Sequence, residues 1–175
     1  KPKVDEIARE TEERAQFIVE EHGYGVYVHR VRGRHAVKTD PGIGKRMPIH
    51  AISAGKAILA HMPRNRVEEI VERRGLPPVT PHTITDEDEL FEELERVRGR
   101  GYAINDEETV EGLRAVGVPI HSRDGRVTSA LSVSGPTHRV KGEWLEHDLL
   151  DLLLGTANEL ELNVAHGDFL PPEAP

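Results

Sequence analysis

The segment Ser129-Ala130-Leu131-Ser132-Val133-Ser134-Gly135-Pro136, in a strand read over Val127–Ser134, limits the possible folds of this chain more than any other. It follows an Asp124-Gly125 turn and alternates in character, as a β-strand does when successive side chains leave opposite faces. On that reading Val127, Ser129, Leu131 and Val133 share one face, and Thr128, Ala130, Ser132 and Ser134 share the other. The second face is small and mostly hydroxylic. Such a face lies under water, accepts a close-packed helix, or floors a small polar pocket.

The rest of the chain supplies partners for that strand. Val4–Thr11 has the pattern of a helix end. Glu13–Glu20 and Tyr24–Val31 read as strands joined across His22-Gly23, and a turn at Arg32-Gly33-Arg34 leads to a third strand, His35–Thr39. Arg30, Arg32 and Arg34 flank this turn and read as solvated rather than as a phosphate clamp. Pro41, Gly42 and Gly44 make a loop, and Met47–Ile49 is short and extended. Ser53 is placed to cap a helix through Ala60, and Arg66–Arg74 forms another that stops at Gly75. Asp86 with Glu89 resembles a capping box for a helix to about residue Arg98, whose Leu90, Phe91, Leu94 and Val97 fall on one face. Strands Tyr102–Asn105 and Leu113–His121 precede the opening strand. A final amphipathic helix, about residues 141–166, sets Leu145, Leu149, Leu152, Leu153 and Leu160 against the sheet, and 168–175 is a tail. Hairpins, then helices, then hairpins describe an antiparallel α+β domain rather than repeated βαβ units.

At 175 residues the chain is long enough for one domain with a substantial core. It begins at Lys1, without methionine, in a helical pattern, and so reads as a fragment of a longer protein. No run approaches the roughly 18 apolar residues of a membrane helix. The absence of cysteine excludes disulfides and thiolate chemistry and fits a cytoplasmic setting. With 31 acidic and 23 basic residues the net charge is −8, which repels phosphate backbones and makes this piece a poor nucleic-acid binder by itself. The acidic blocks Glu10–Glu13, Asp86–Glu89 and Glu92–Glu95 read as solvated faces. Acidic composition, with Arg far exceeding Lys, is also what a salt-loving organism favours, in which case stability rises with salt.

Three motifs invite chemistry. Ser53-Ala54-Gly55-Lys56 matches the S-x-x-K of penicillin-recognising enzymes, but the partner motifs S-D-N and K-T-G are missing. It is not a phosphate loop either, because Ala57 follows the lysine. As a helix start with small Ser53 and Ala54, the turn offers amides to a carboxylate without a metal; as an ordinary capped helix, it offers nothing. Ten histidines lack metal-ligand spacing, so no metal site and no cofactor is expected. Asn105, at a strand end before Asp106-Glu107-Glu108, is either a polar turn residue or a group aimed into a cleft.

In order and spacing, these pieces resemble the effector-binding domain of IclR-type transcriptional regulators. The resemblance rests on Met47-Pro48-Ile49-His50-Ala51 with Ser53-Ala54-Gly55-Lys56-Ala57, then on Arg100-Gly101-Tyr102-Ala103 and Asp106-Glu107-Glu108. It continues through Gly112-Leu113-Arg114-Ala115-Val116-Gly117-Val118-Pro119-Ile120, and Ala130 to Pro136 with Arg139. It implies a GAF-like domain with a curved, mostly antiparallel sheet of about six strands flanked by helices. It also implies that 1–12 ends a linker helix from a missing winged helix-turn-helix domain, and that 13–167 binds the effector. By motif position, effector contacts fall on Ser53, Ala54, Asn105, Ala115, Ser132 and Ser134. Relatives that sense glyoxylate or pyruvate carry aspartate where this chain has Asn105 and cysteine where it has Ala115. The first change removes a charge that would repel an acid; the second slightly enlarges the pocket. Ala36 and Val37 align near an apolar patch that shapes the pocket in relatives.

The resulting expectation is a non-enzymatic sensor of a small organic acid, assembled as a homodimer or homotetramer, that meets operator DNA only through the missing domain. A hydrolase using Ser53 and Lys56, and a ligand-free dimerisation module, remain as alternatives.

Overall fold

The structure, a computed structural model, describes residues 1–35 and 42–167. A helix, α1 (Pro2–Thr11), leads into the hairpin β1 (Arg14–Glu21) and β2 (Tyr24–Val31). The hairpin turns on His22 and Gly23, both at positive φ as a tight two-residue turn between twisted strands requires. A short strand, β3 (Arg46–Pro48), pairs with β2. A 3₁₀ turn (Ile49–Ala51) then enters α2 (Ser53–Leu59), followed by α3 (Arg64–Arg74) and α4 (Glu87–Arg100). The expected cap of α4 is present: Asp86 accepts a hydrogen bond from the Glu89 amide at 3.0 Å.

Strands β4 (Ala103–Asp106), β5 (Leu113–His121) and β6 (Val127–Pro136) follow, then a π-helical stretch (Trp144–Leu149) that runs into α5 (Leu150–Gly167). The six strands form one antiparallel sheet in the order β3-β2-β1-β6-β5-β4. The α+β architecture expected from the hairpin pattern is therefore present. The expected third strand, His35–Thr39, and the apolar pair Ala36 and Val37 lie outside the described residues apart from His35, which is in a turn; so does the 168–175 tail.

Helices cover both faces of the sheet. On one side α1, the π-helical stretch and α5 bury Val4, Ile7, Leu149 and Leu153 against Ala15, Val116, Val118, Leu131 and Val133. On the other, α2, α3 and α4 bury Ile58, Leu59, Val67, Leu90 and Leu94 with Ile18, Tyr27 and Ala130. Two glycines set how closely α2 approaches. A Cβ at Gly117 would lie 2.6 Å from the Ala54 amide nitrogen, and one at Gly55 would lie 1.9 Å from the Ile49 carbonyl oxygen. Only glycine fits at either place.

Two register shifts modify simple alternation. Between β5 and β6, Ile120 pairs with Ser129 but His121 pairs with Val127, which leaves Thr128 as an extra residue. A bulge reverses the face assignment beyond it. Val127 accordingly packs in the Ala130 cluster instead of beside Leu131, and Thr128 is exposed rather than continuing the hydroxyl face. Between β1 and β2, Phe17 pairs with His29 and Ile18 with Tyr27, which makes Val28 the extra residue. Tyr27 and Arg30, three apart in sequence, thereby reach the same face.

Candidate effector pocket

A cavity of about 370 Å³ lies between the sheet and the start of α2. All six residues singled out by motif position line it: Ser53, Ala54, Asn105, Ala115, Ser132 and Ser134. They arrive from four separate elements, α2, β4, β5 and β6, and antiparallel pairing aligns them, with Asn105 opposite Ala115 and Ala115 opposite Ser134. The hydroxyl face of β6 is thus the floor of a cavity between Ser132 and Ser134, and a packing surface for helices at Ala130.

Ser53 does not cap α2. Ile52 occupies the cap position in extended geometry, and Ser53 is the first helical residue. Its hydroxyl instead pairs with the Ser132 hydroxyl at 3.1 Å, so both buried Oγ atoms find a partner at the cavity edge. Either can rotate its proton toward a third oxygen. Asn105 also differs from a free ligand-fixing group. Its Nδ2 donates to the Ala51 carbonyl and to Thr109 Oγ1, each at 3.0 Å, and its Oδ1 accepts from the Glu108 amide at 2.8 Å. Asn105 thereby ties the end of β4 to the entry of α2, and it positions the pocket wall.

The S-x-x-K lysine has a structural partner. Lys56 is 1% exposed, and its Nζ donates to Glu108 Oε1 at 2.6 Å with Glu93 Oε1 at 3.8 Å. An ammonium held between two carboxylates is a poor base for Ser53, whose own hydroxyl is turned to Ser132. Burial pushes the Glu108 carboxyl above its usual range, and the Lys56 charge opposes that push. Among the described residues no cluster of three metal-ligating side chains forms.

Composition and spacing gave no hint of the cations in the pocket. Arg14, Arg30 and Lys45 all line it, and no described lining residue is acidic. Arg14 is 3% exposed and sits opposite Ser134 on the β1–β6 ladder. The Arg30 guanidinium lies 4.5 Å from the Tyr27 ring centroid, and its Nε donates to Gln16 Oε1 at 3.2 Å. Gln16 Nε2 in turn donates to Ser134 Oγ at 3.1 Å. Arg30 is therefore a pocket residue and not simply a solvated one beside a turn, because the Val28 bulge swings it inward. The Glu10–Glu13 block departs from a solvated face in a similar way. Glu13 is fully buried, ion-paired with Arg139 and packed on Gly135. Tyr27, in the same wall, has its phenol pushed up by burial.

A sheet with helices on both faces and a polar, cationic cavity against one of them defines a small-molecule binding domain. Residues 1–162 match the family described as bacterial transcriptional regulator IclR C-terminal. The chain belongs to the IclR family and corresponds to its C-terminal, effector-binding domain, whose members are regulators and not enzymes. It is 31% identical over 164 residues to the probable HTH-type transcriptional regulator ArcR of Halobacterium salinarum, covering 92% of this chain and 62% of that one. The Thermotoga maritima IclR crystal structure superposes with a TM-score of 0.87 at 31% identity, covering 93% of this chain and 66% of that one. The inducer-binding domain of the Acinetobacter PobR transcription factor, a double mutant in complex with 3-hydroxybenzoic acid, gives 0.82 at 32% identity, covering 91% and 94%. The chain spans about half the length of the curated relatives it matches. Among the described residues no helix is long and apolar enough to cross a membrane.

Proposed function

We propose that this domain binds a small organic acid in the cavity under α2 and transmits its occupancy, through α1, to a DNA-binding domain in the full regulator. The observation that carries the reading is the charge of the cavity. Hydroxyls from Ser53, Ser132 and Ser134 and cations from Arg14, Arg30 and Lys45 face one space that no described acidic side chain lines. An anion gains charge-assisted hydrogen bonds there, while a cation would meet like charge. Ser53 and Ala54 sit at the N-terminal end of α2, which adds dipolar attraction for a carboxylate. The bound 3-hydroxybenzoic acid of the PobR domain supports an acid ligand by analogy.

The reading places the domain in the cytoplasm, relates its fold to GAF sensors, and makes 1–12 the end of the linker helix, 13–167 the sensor and the whole a homodimer or homotetramer. Linkage requires unequal affinity for the two regulatory states, since an effector that binds both equally shifts nothing. A ligand-free dimerisation module would have closed the Ser132 face against a helix, whereas here that face borders a cavity.

A melting screen against glyoxylate, pyruvate, 3-hydroxybenzoate and 4-hydroxybenzoate tests the reading. Ligand at about 100 times its Kd adds roughly 2.7 kcal/mol, or several degrees for a domain of this size. The shift disappears in the Ser132→Ala, Ser134→Ala double variant if the site is this cavity. A shift that survives in a folded double variant places the site elsewhere.

A further inference from the structure

Two residues that do not line the cavity hold three of its walls together. Glu108 and Thr83 are each 7% exposed, and neither borders the cavity space. Glu108 stands in the turn between β4 and β5. Its Oε1 accepts from Lys56 Nζ of α2 at 2.6 Å, its amide donates to Asn105 Oδ1 at 2.8 Å, and its carbonyl accepts from Thr83 Oγ1 at 2.6 Å. Thr83 is the matching hub on the other side. The same Oγ1 accepts from the Val79 amide at 3.0 Å and from the Thr80 amide at 2.9 Å. Thr80 Oγ1 in turn donates to the Glu107 carbonyl at 2.7 Å, a second tie between the two segments.

Each segment gathered there sends residues into the cavity. The start of α2 gives Ser53 and Ala54, the β4–β5 turn gives Thr109 and Val110, and the 79–83 segment gives Val79. The 79–83 segment lies outside any helix or strand, so these side-chain bonds do for it what a strand ladder does for β6. A binding site works only if its walls are held to within about 0.5 Å. We propose that Glu108 and Thr83 are positioning residues for the effector. They touch no ligand, and they set the distances between the start of α2, the β4–β5 turn and Val79. The inference rests on the acid-sensing reading above and adds the residues that hold its site in shape.

Titration calorimetry on the whole chain with glyoxylate, pyruvate, 3-hydroxybenzoate and 4-hydroxybenzoate, alongside thermal melting, tests it. For an acid that binds, Glu108→Ala raises Kd at least about tenfold, the worth of one lost charge-assisted hydrogen bond. Glu108→Gln keeps an acceptor for Lys56 and holds Kd within about threefold of the unaltered chain. Its melting temperature still falls by several degrees, because a buried ammonium has lost its nearest counter-charge. A residue that merely stabilised the fold would lower the melting temperature and leave Kd unchanged in both variants. If Glu108→Ala does not fold, Thr83→Val against Thr83→Ser makes the same comparison: valine loses the hydroxyl bonds and the affinity, and serine restores both. An unchanged Kd in folded Glu108→Ala or Thr83→Val, or a Kd as weak in Glu108→Gln as in Glu108→Ala, overturns the inference while the acid-sensing reading stands. If none of the four acids binds the unaltered chain, both are overturned.

Discussion

The two faces of β6 are made by the same ten residues and do opposite things. Leu131 and Val133 are completely buried against α1 and α5, in a cluster that is apolar throughout. Ser132 and Ser134, between and beside them, are nearly as buried but face a cavity with hydroxyls, two amides and three cations. The apolar face supplies adhesion, and the polar face keeps space that adhesion would otherwise close. A binding domain of this size can tolerate a polar cavity in one helix layer because the other layer, apart from the buried Glu13–Arg139 pair at its edge, is packed mainly with apolar side chains. It also follows that substitutions on the two faces should separate stability from binding.

The largest effect is expected where the polar layer holds a buried charge. Lys56→Ala leaves Glu108 buried without its cation, a loss of about 3–5 kcal/mol at neutral pH by denaturant unfolding. Because burial already raises the Glu108 carboxyl, acidification protonates it and recovers part of the loss. A loss that does not depend on pH would mean that Glu108 does not carry the penalty. Next comes the apolar face. Leu131→Ala should cost about 2–5 kcal/mol, and its Kd for any ligand found should change little. If Leu131→Ala weakened binding as much as Ser132→Ala does, the division of labour would be wrong.

Smaller still, Ser132→Ala should change stability by about 1 kcal/mol or less, since it removes one neutral hydrogen bond at a cavity edge. Salt provides a further comparison. With a net charge of −8, the melting temperature should rise between low and molar salt as self-repulsion is screened; a flat response would contradict that expectation. The least effect is expected from histidine titration. His50 and His61 are both held below the ordinary histidine range, chiefly by burial. Their stabilising contribution is fully present above pH 6.5, the ordinary value, and is lost as pH falls through the lowered folded-state values. His61→Gln should flatten that acid-side slope, measured as Tm against pH.

Most strand limits were legible because each strand is bounded by glycine turns or polar loops, and β2 and β5 begin and end where alternation places them. The six candidate pocket residues were legible through motif order, and they meet at one cavity. The cations were not. Arg14 follows an acidic run and precedes an apolar one, and nothing in that local context distinguishes a buried pocket arginine from a solvated one. Arg30 lies near the end of an apparently regular strand, and the extra residue at Val28 that turns it inward depends on pairing with β1. Val127 and Thr128 were assigned to the wrong faces for the same reason. Lys56 had the spacing of a catalytic lysine, and only the arrival of Glu108 from a segment 52 residues away shows what holds it.

By itself the sequence determined which segments are strands and helices, that the β6 floor is built of small hydroxyls, and which family's motif order the chain follows. Those are properties of periodicity, side-chain size and local capping, which act within a few residues. The tertiary structure decided that a cavity remains above Ser132 and Ser134, that its other half is cationic, and that Lys56 is an internal ion pair. Each depends on strand register, on the two bulges, or on charges brought together from distant segments. The energy of such contacts exists only when the strands are paired, so no local pattern encodes it.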